Sequence, residues 1–187
     1  MSGMPTGPYQ DWAKQKLGFE YNDIQLLITA LTHRSYVNEH KKSVSEHNER
    51  LEFLGDAVLQ IVVTEHIFRS FPDLAEGQLA KLRASVVSSH ALAEVARGLD
   101  LGELIRLGQG EINTGGADKT SILADTMEAV IGAIHMSCGA DAAACFVHAL
   151  LDERIASSEL KGHYTDYKTA LQEYCAHSGL EPPRYEI

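Results

Sequence analysis

Cysteine is scarce in this chain, and the three present, Cys138, Cys145 and Cys175, have neither an even count nor a metal-type spacing. A disulfide framework is therefore not expected, and the usage predicts a reducing, cytoplasmic setting. Long apolar runs are missing as well. None approaches the ~20 residues that span a bilayer, and the opening MSGMPTGPYQDW has neither the basic nor the apolar region of a secretory signal. No membrane partner is expected. There is no Walker loop and no dinucleotide fingerprint, so no nucleotide cofactor is expected either. Ser35 and Ser121 have no base or oxyanion motif beside them, which excludes nucleophilic serine chemistry. Basic residues are also in short supply: 16 Lys+Arg against 26 Asp+Glu leave a net charge of −10. Taken alone, that charge argues against a nucleic-acid binder. It fits a protein that recruits divalent cations, or one that is merely acidic.

What is present is a helical pattern. The 187 residues, 44% hydrophobic and 7% aromatic, suit one packed domain with a small appendage. Apolar periodicity and end signals predict helices over roughly 9–17, 22–36, 46–69, 76–88, 89–98, 120–138 and 140–157. Ser45 or Glu46 is the expected start of the third, Ser88 or Ser89 caps the fifth, and Thr120 or Ser121 caps the sixth. No period-two alternation suggests a strand before about residue 180, so residues 1–157 read as one all-α domain. Ser157-Ser158-Glu159-Leu160-Lys161-Gly162 has linker composition, giving a linker over 158–163. A further helix, 166–177, and an incipient strand from Arg184 follow. Residues 164–187 are too few for an independent core and read as the opening fragment of a second domain.

The densest chemistry lies in His47–Leu59, HNERLEFLGDAVL. At ~100° per residue, Glu49, Glu52 and Asp56 fall within about 60° of one another, with Leu51, Leu54, Val58, Ile61 and Val62 opposite. Carboxylates gathered in this way repel unless a cation sits among them; the competing reading is a solvated acidic face. LADTMEAVIGAIHM repeats the arrangement: Asp125 and Glu128 share a face, with Met127, Val130, Ile131 and Ile134 on the apolar side. Side by side, the two helices would form a four-acid cluster, and oxygen-only ligands suit Mg²⁺ or Mn²⁺. Such a site activates water or offsets charge on a transferring phosphoryl group. His135 lies on nearly the same face as Glu128 and could be a ligand, a proton carrier or a hydrogen-bonded packing residue.

HNERLEFLGDAVL resembles the signature of the ribonuclease III family of double-stranded-RNA endonucleases. Ala30–Tyr36 (ALTHRSY), Glu76–Ala84 (EGQLAKLRA), Leu107–Glu111 (LGQGE) and Ser121–Ala129 (SILADTMEA) extend the likeness in order over about 20–140. The resemblance implies an all-α, homodimeric, Mg²⁺-dependent endonuclease domain, with Mn²⁺ as a possible substitute. It implies cleavage of double-stranded RNA, as in ribosomal-RNA precursors and structured messenger RNA, to 5′-phosphate and 3′-hydroxyl ends with short 3′ overhangs. By position, Glu52, Asp56, Asp125 and Glu128 match the metal-binding carboxylates, with Asp56 and Glu128 catalytic. Glu49 and Glu76 match acidic positions lining the catalytic valley, though Glu76 is equally explained as a helix N-terminal charge. Phe53 matches an aromatic that inserts into the partner subunit. Asp166–Tyr174 (DYKTALQEY) resembles the first helix of an α-β-β-β-α double-stranded-RNA-binding domain, where Thr169, Gln172 and Glu173 match RNA contacts. Without that domain's remaining strands and basic helix, weak RNA binding is expected. One departure stands out: the family has an aromatic at the position of His135 and an acid shortly after, which predicts altered packing there. An inert RNA-holding relative and an unrelated helical phosphohydrolase are the competing functions.

Overall fold

The computed structural model describes residues 6–18, 21–179 and 181, and their side chains apart from 158–173 and 176. The described residues open with α1 (Gly7–Trp12), which runs into a π-helical turn at Ala13–Leu17. It continues through α2 (Ile24–Ala30), α3 (Arg34–Glu39), α4 (Glu49–Ser70), α5 (Glu76–Val86) and α6 (Ser89–Gly98). A 3₁₀ turn at Leu101–Leu104 leads to the short α7 (Gln109–Asn113), followed by α8 (Thr120–Cys138) and α9 (Ala140–His177). Among the described residues there is no strand, only an isolated bridge between Thr32 and Arg106. The all-α expectation holds for them.

α8 is the axis of the fold. Between Ile122 and Ile134 every residue is buried except Asp125 and Glu128. A helix that is apolar nearly all round is stable only inside a sheath of others, and α2, α4, α6 and α9 provide it, α4 most extensively. Leu59, Val63 and Ile67 of α4, Leu92 and Ala96 of α6, and Phe146, Val147 and Leu151 of α9 close the core around it. The two carboxylates that interrupt it therefore stand out: burying part of a carboxylate has a cost that only a function or a partner offsets.

Several boundaries differ from the sequence reading, each for a tertiary reason. The expected helix over 22–36 is broken in two. Arg106 N–H donates to the Leu31 carbonyl at 2.7 Å, and His33 N–H donates to the Arg106 carbonyl at 3.1 Å. A distant strand-like segment thus takes over the backbone groups that a continuous helix would have used. α4 starts at Glu49 rather than at Ser45 or Glu46; the buried Asn48 precedes it, its N–H given to the Thr32 carbonyl at 2.9 Å. Ser88 does cap α6, accepting from Ala91 N–H at 3.3 Å, whereas α8 begins at Thr120 without a side-chain cap. Ile61 is 62% exposed, not part of the core stripe; Gly55 and Leu59 hold that side of α4 instead. The helices expected over 140–157 and 166–177 are one continuous α9, so the backbone stays helical through 158–163. Linker-like composition there does not stop a helix, because Ser, Glu, Leu and Lys propagate one at modest cost and the one glycine, Gly162, adds only about 1 kcal/mol. The expected strand from Arg184 lies outside the described residues. All three cysteines are thiols, and no described helix is long and apolar enough to cross a membrane.

Candidate active site

The two acidic helices are brought together by two glycines. A Cβ placed on Gly55 of α4 would overlap the Glu128 carbonyl oxygen of α8 and lie 2.9 Å from Gly132 N, and one on Gly132 would overlap the Leu51 carbonyl. The two backbones are in direct contact, with no side chain between them. Glu52 lies one helical turn before Gly55 and Asp56 directly after it, so the residue that touches α8 sits between the two acids. The contact sets their carboxylates against those of Asp125 and Glu128.

Glu52, Asp125 and Glu128 converge, with one carboxylate oxygen from each lying within 4.8 Å of the others. All three are partly buried. Asp56 stands beside this triad without joining it; it is exposed and accepts from Gln60 Nε2 at 3.3 Å. Burial first, then the charges of Asp56, Asp125 and Glu52, push the Glu128 carboxyl up to about 8. Glu52 is raised by burial and then by Asp125, Glu49 and Asp56. Asp125 is raised mainly by burial, against the opposing pull of His33. Three neighbouring acids that all resist ionising form a site short of positive charge. A divalent cation supplies that charge, and an all-oxygen donor set suits Mg²⁺ or Mn²⁺. The residues present fit such an ion.

The triad opens into a cleft of about 470 Å³ whose lining includes Glu49, Glu52 and Asp125 together with His33, Arg34, Asn48, Glu111 and Lys119. Glu49 pairs with Arg34 Nη1 at 3.3 Å. Lys119 Nζ donates to Glu111 Oε2 at 2.6 Å, which holds that carboxyl below its ordinary range. Burial lowers His33 more than its acidic neighbours raise it. The cleft wall is built by the ALTHRSY segment. The Ser35 hydroxyl accepts from Gly108 N–H at 2.8 Å, and Glu39 Oε2 accepts from Gln109 N–H at 3.0 Å. The Arg106 guanidinium sits 4.2 Å above the Tyr36 ring. These contacts tie α3 to α7.

Of the remaining sequence candidates, Glu76 is exposed on the first turn of α5 and does not line the cleft. Phe53 is 81% exposed; with Ile61 and Phe68 it forms an apolar stripe on the outer side of α4. His135 is partly buried, and its Nδ1 is shielded from solvent with no hydrogen-bond partner. Thr169, Gln172 and Glu173 lie outside the residues whose side chains are described. Sequence reasoning missed the glycine pair and the mixed-charge wall of His33, Arg34, Glu111 and Lys119. The ALTHRSY and LGQGE motifs were visible, but what joins them across some 70 positions was not.

Fold and site together define an all-helical domain that presents carboxylates from two contacting helices at the floor of a cleft. The ribonuclease-III-like family model matches residues 23–154. The chain belongs to this ribonuclease III family. It is 57% identical over 172 residues to a ribonuclease 3 of Streptomyces coelicolor, covering 92% of this chain and 61% of that protein. It is 54% identical to the ribonuclease 3 of Thermobifida fusca, covering 87% of this chain and 67% of the relative. The chain thus spans about three-fifths of the Streptomyces relative's length. Among solved structures, the nuclease domain of Campylobacter jejuni ribonuclease III, described for flexibility in a region involved in dimer formation, superposes with a TM-score of 0.70 at 46% identity. That match covers 76% of this chain and 96% of the other.

Proposed function

We propose that this chain is an Mg²⁺-dependent endonuclease that cuts double-stranded RNA, with Mn²⁺ able to substitute. The observation that carries this reading is the convergence of Glu52, Asp125 and Glu128 within 4.8 Å at a Gly55–Gly132 helix contact, in a chain of the ribonuclease III family. Glu52, Asp125 and Glu128 supply oxygen ligands to the cation, and Asp56 adds its charge from one turn along. When bound, the cation lowers the pKa of a water and offsets charge on the transferring phosphorus. The 3′-oxygen leaves, giving 5′-phosphate and 3′-hydroxyl ends. Glu76, on the first turn of α5 and outside the cleft, serves that helix's N-terminus, and Glu49 lines the valley that receives the strand. Glu49 does so with its charge partly offset by Arg34.

One such site cuts one strand, so cleavage of a duplex calls for two copies. Phe53, Ile61 and Phe68, all more than 60% exposed on α4, supply a self-complementary apolar face. A twofold homodimer across the minor groove leaves short 3′ overhangs. Phe53→Asp is expected to shift the dimer to monomer in sedimentation velocity and to weaken self-association by at least about a hundredfold, the scale of a central interface aromatic. A Phe53→Asp dimer of unchanged affinity contradicts this role. Residues 1–157 form the catalytic domain in this reading. Residues 158–163 join it to the opening of an RNA-binding domain in 164–187, whose Thr169, Gln172 and Glu173 meet the minor groove. The natural substrates are ribosomal-RNA precursors and structured messenger RNA in the cytoplasm.

The test is incubation with a hairpin duplex and with a single strand of the same composition, in Mg²⁺ or EDTA. Cleavage of the duplex alone, only with Mg²⁺, to fragments bearing 5′-phosphates, is the expected result. Equal cutting of the single strand, or cutting in EDTA, contradicts it.

A further inference from the structure

About 21 Å along α4 from Glu52, at ~1.5 Å per residue, His66 meets the C-terminal helix. His148 and Asp152 of α9, one turn apart, share a face. His148 Nδ1 lies 3.0 Å from Asp152 Oδ1, and His66 Nδ1 lies 3.8 Å from the same oxygen. The two imidazoles are 5.1 Å apart, centre to centre, tilted by 54°. One ligand atom from each of the three residues falls within 4.8 Å of the others. The site is half-enclosed: His66 is 25% exposed, His148 40% and Asp152 46%.

We propose that His66, His148 and Asp152 form a second metal site that binds a borderline transition-metal ion such as Zn²⁺ and clamps α9 onto α4. Ligands at ~2.0–2.2 Å in a tetrahedral shell are about 3.3 Å from one another. Two of the three ligand separations already bracket that value, so small side-chain rotations close the site without moving either helix. Two imidazoles and one carboxylate favour zinc, cobalt or nickel over magnesium, the reverse of the all-carboxylate triad. The chain therefore sorts two kinds of cation by donor chemistry. The fourth position faces solvent and takes water. His66 lies about 140° around α4 from both Phe53 and Ile61, so the site is independent of the outer apolar stripe. Its consequence is mechanical: His148 and Asp152 lie among the α9 residues that close the core, Phe146 to Ile155, and an ion at this level pins that stretch of α9 to α4.

The experiment titrates Zn²⁺ into the protein in excess Mg²⁺, following the melting temperature and, with Co²⁺ as probe, the visible absorption of the bound ion. At zinc a hundredfold above Kd the parent is expected to gain about 5–10 °C. His66→Gln, His148→Gln and Asp152→Asn each lose that gain and the cobalt spectrum while cutting a duplex with Mg²⁺ at the parent rate. Glu128→Gln and Cys145→Ser keep both signals, which separates this site from the carboxylate triad and from the exposed thiol one turn before His148. A parent without a zinc-dependent gain, or a His66→Gln or His148→Gln protein that binds Co²⁺ as tightly as the parent, overturns the proposal. Loss of the signals in Cys145→Ser also overturns it, in favour of a thiolate ligand.

Discussion

Replacing Glu128 by glutamine is expected to lower the rate of duplex cleavage by at least about a thousandfold at saturating Mg²⁺, the scale of several kcal/mol of lost charge stabilisation. The same change is expected to make the metal-free protein more stable at pH 8.5. Both effects have one cause. Glu128 shares its half-buried place with Glu52, Asp125 and Asp56, and without a cation its carboxyl is raised to about 8. A group whose folded pKa lies above its unfolded one contributes stability that is complete below the unfolded value, ordinarily 4.5 here, and lost as pH rises through the folded value. The metal-free parent therefore loses stability between about pH 4.5 and pH 8, with Glu52 and Asp125 adding losses of the same sign. Glutamine, neutral throughout, flattens the largest of these slopes. Thermal melts across that window in EDTA read the effect, each kcal/mol moving the midpoint by about 2–4 °C at this chain length. A Glu128→Gln protein that cleaves normally, or one that melts with the parent's pH slope, removes Glu128 from its assigned place.

Replacing Gly55 by alanine is the second large effect. The added methyl has nowhere to go: it overlaps the Glu128 carbonyl and meets Gly132 N at 2.9 Å. All of these are backbone atoms in helices, which cannot swing aside as a flexible side chain would. The helices must separate, at a cost of about 3 kcal/mol or more, a fall of roughly 6–12 °C in melting temperature. Separation also parts Glu52 and Asp56 from Asp125 and Glu128, so cleavage is expected to fall at least about a hundredfold even well below the new midpoint, since displacement of ~1 Å is enough for that. Gly77 provides the contrast. A Cβ there meets nothing within 4 Å, and Gly77→Ala in α5 should leave activity intact and stabilise slightly, by about 0.5–1 kcal/mol. If Gly55→Ala melts and cuts like the parent, the backbone contact is not what holds the acids together.

The legible parts of this molecule were those governed by one helix at a time. The span of α8, its apolar sides and the shared face of Asp125 and Glu128 follow from a 3.6-residue period that needs no partner. The Ser88 cap is equally local. What required the rest of the chain stayed hidden. The break at Leu31–His33 depends on Arg106, more than 70 positions away. Periodicity could count the apolar residues of α4 but not say which stripe faces the core. Ile61 and Phe53 turn outward because Gly55 must turn in. The pairing of His148 with Asp152 at i and i+4 was in plain view, yet only the packing of α4 on α9 brings His66 to it. In the site itself, residue types and spacing singled out all four carboxylates. They did not separate the converging Glu52, Asp125 and Glu128 from the more exposed Asp56. Nor did they reveal that two glycines make the convergence possible.

If acids from two different helices hold one divalent ion, the binding of Mn²⁺ to the RNA-free protein, followed by electron paramagnetic resonance, must respond to changes on both. Glu52→Gln on α4 and Asp125→Asn on α8 should each weaken the same ion by about tenfold or more. The double variant should fall short of the sum of the two losses, because residues sharing one partner do not act independently. Two losses that add without interaction, or weakening confined to the acids of one helix, would mean that the two helices do not share an ion.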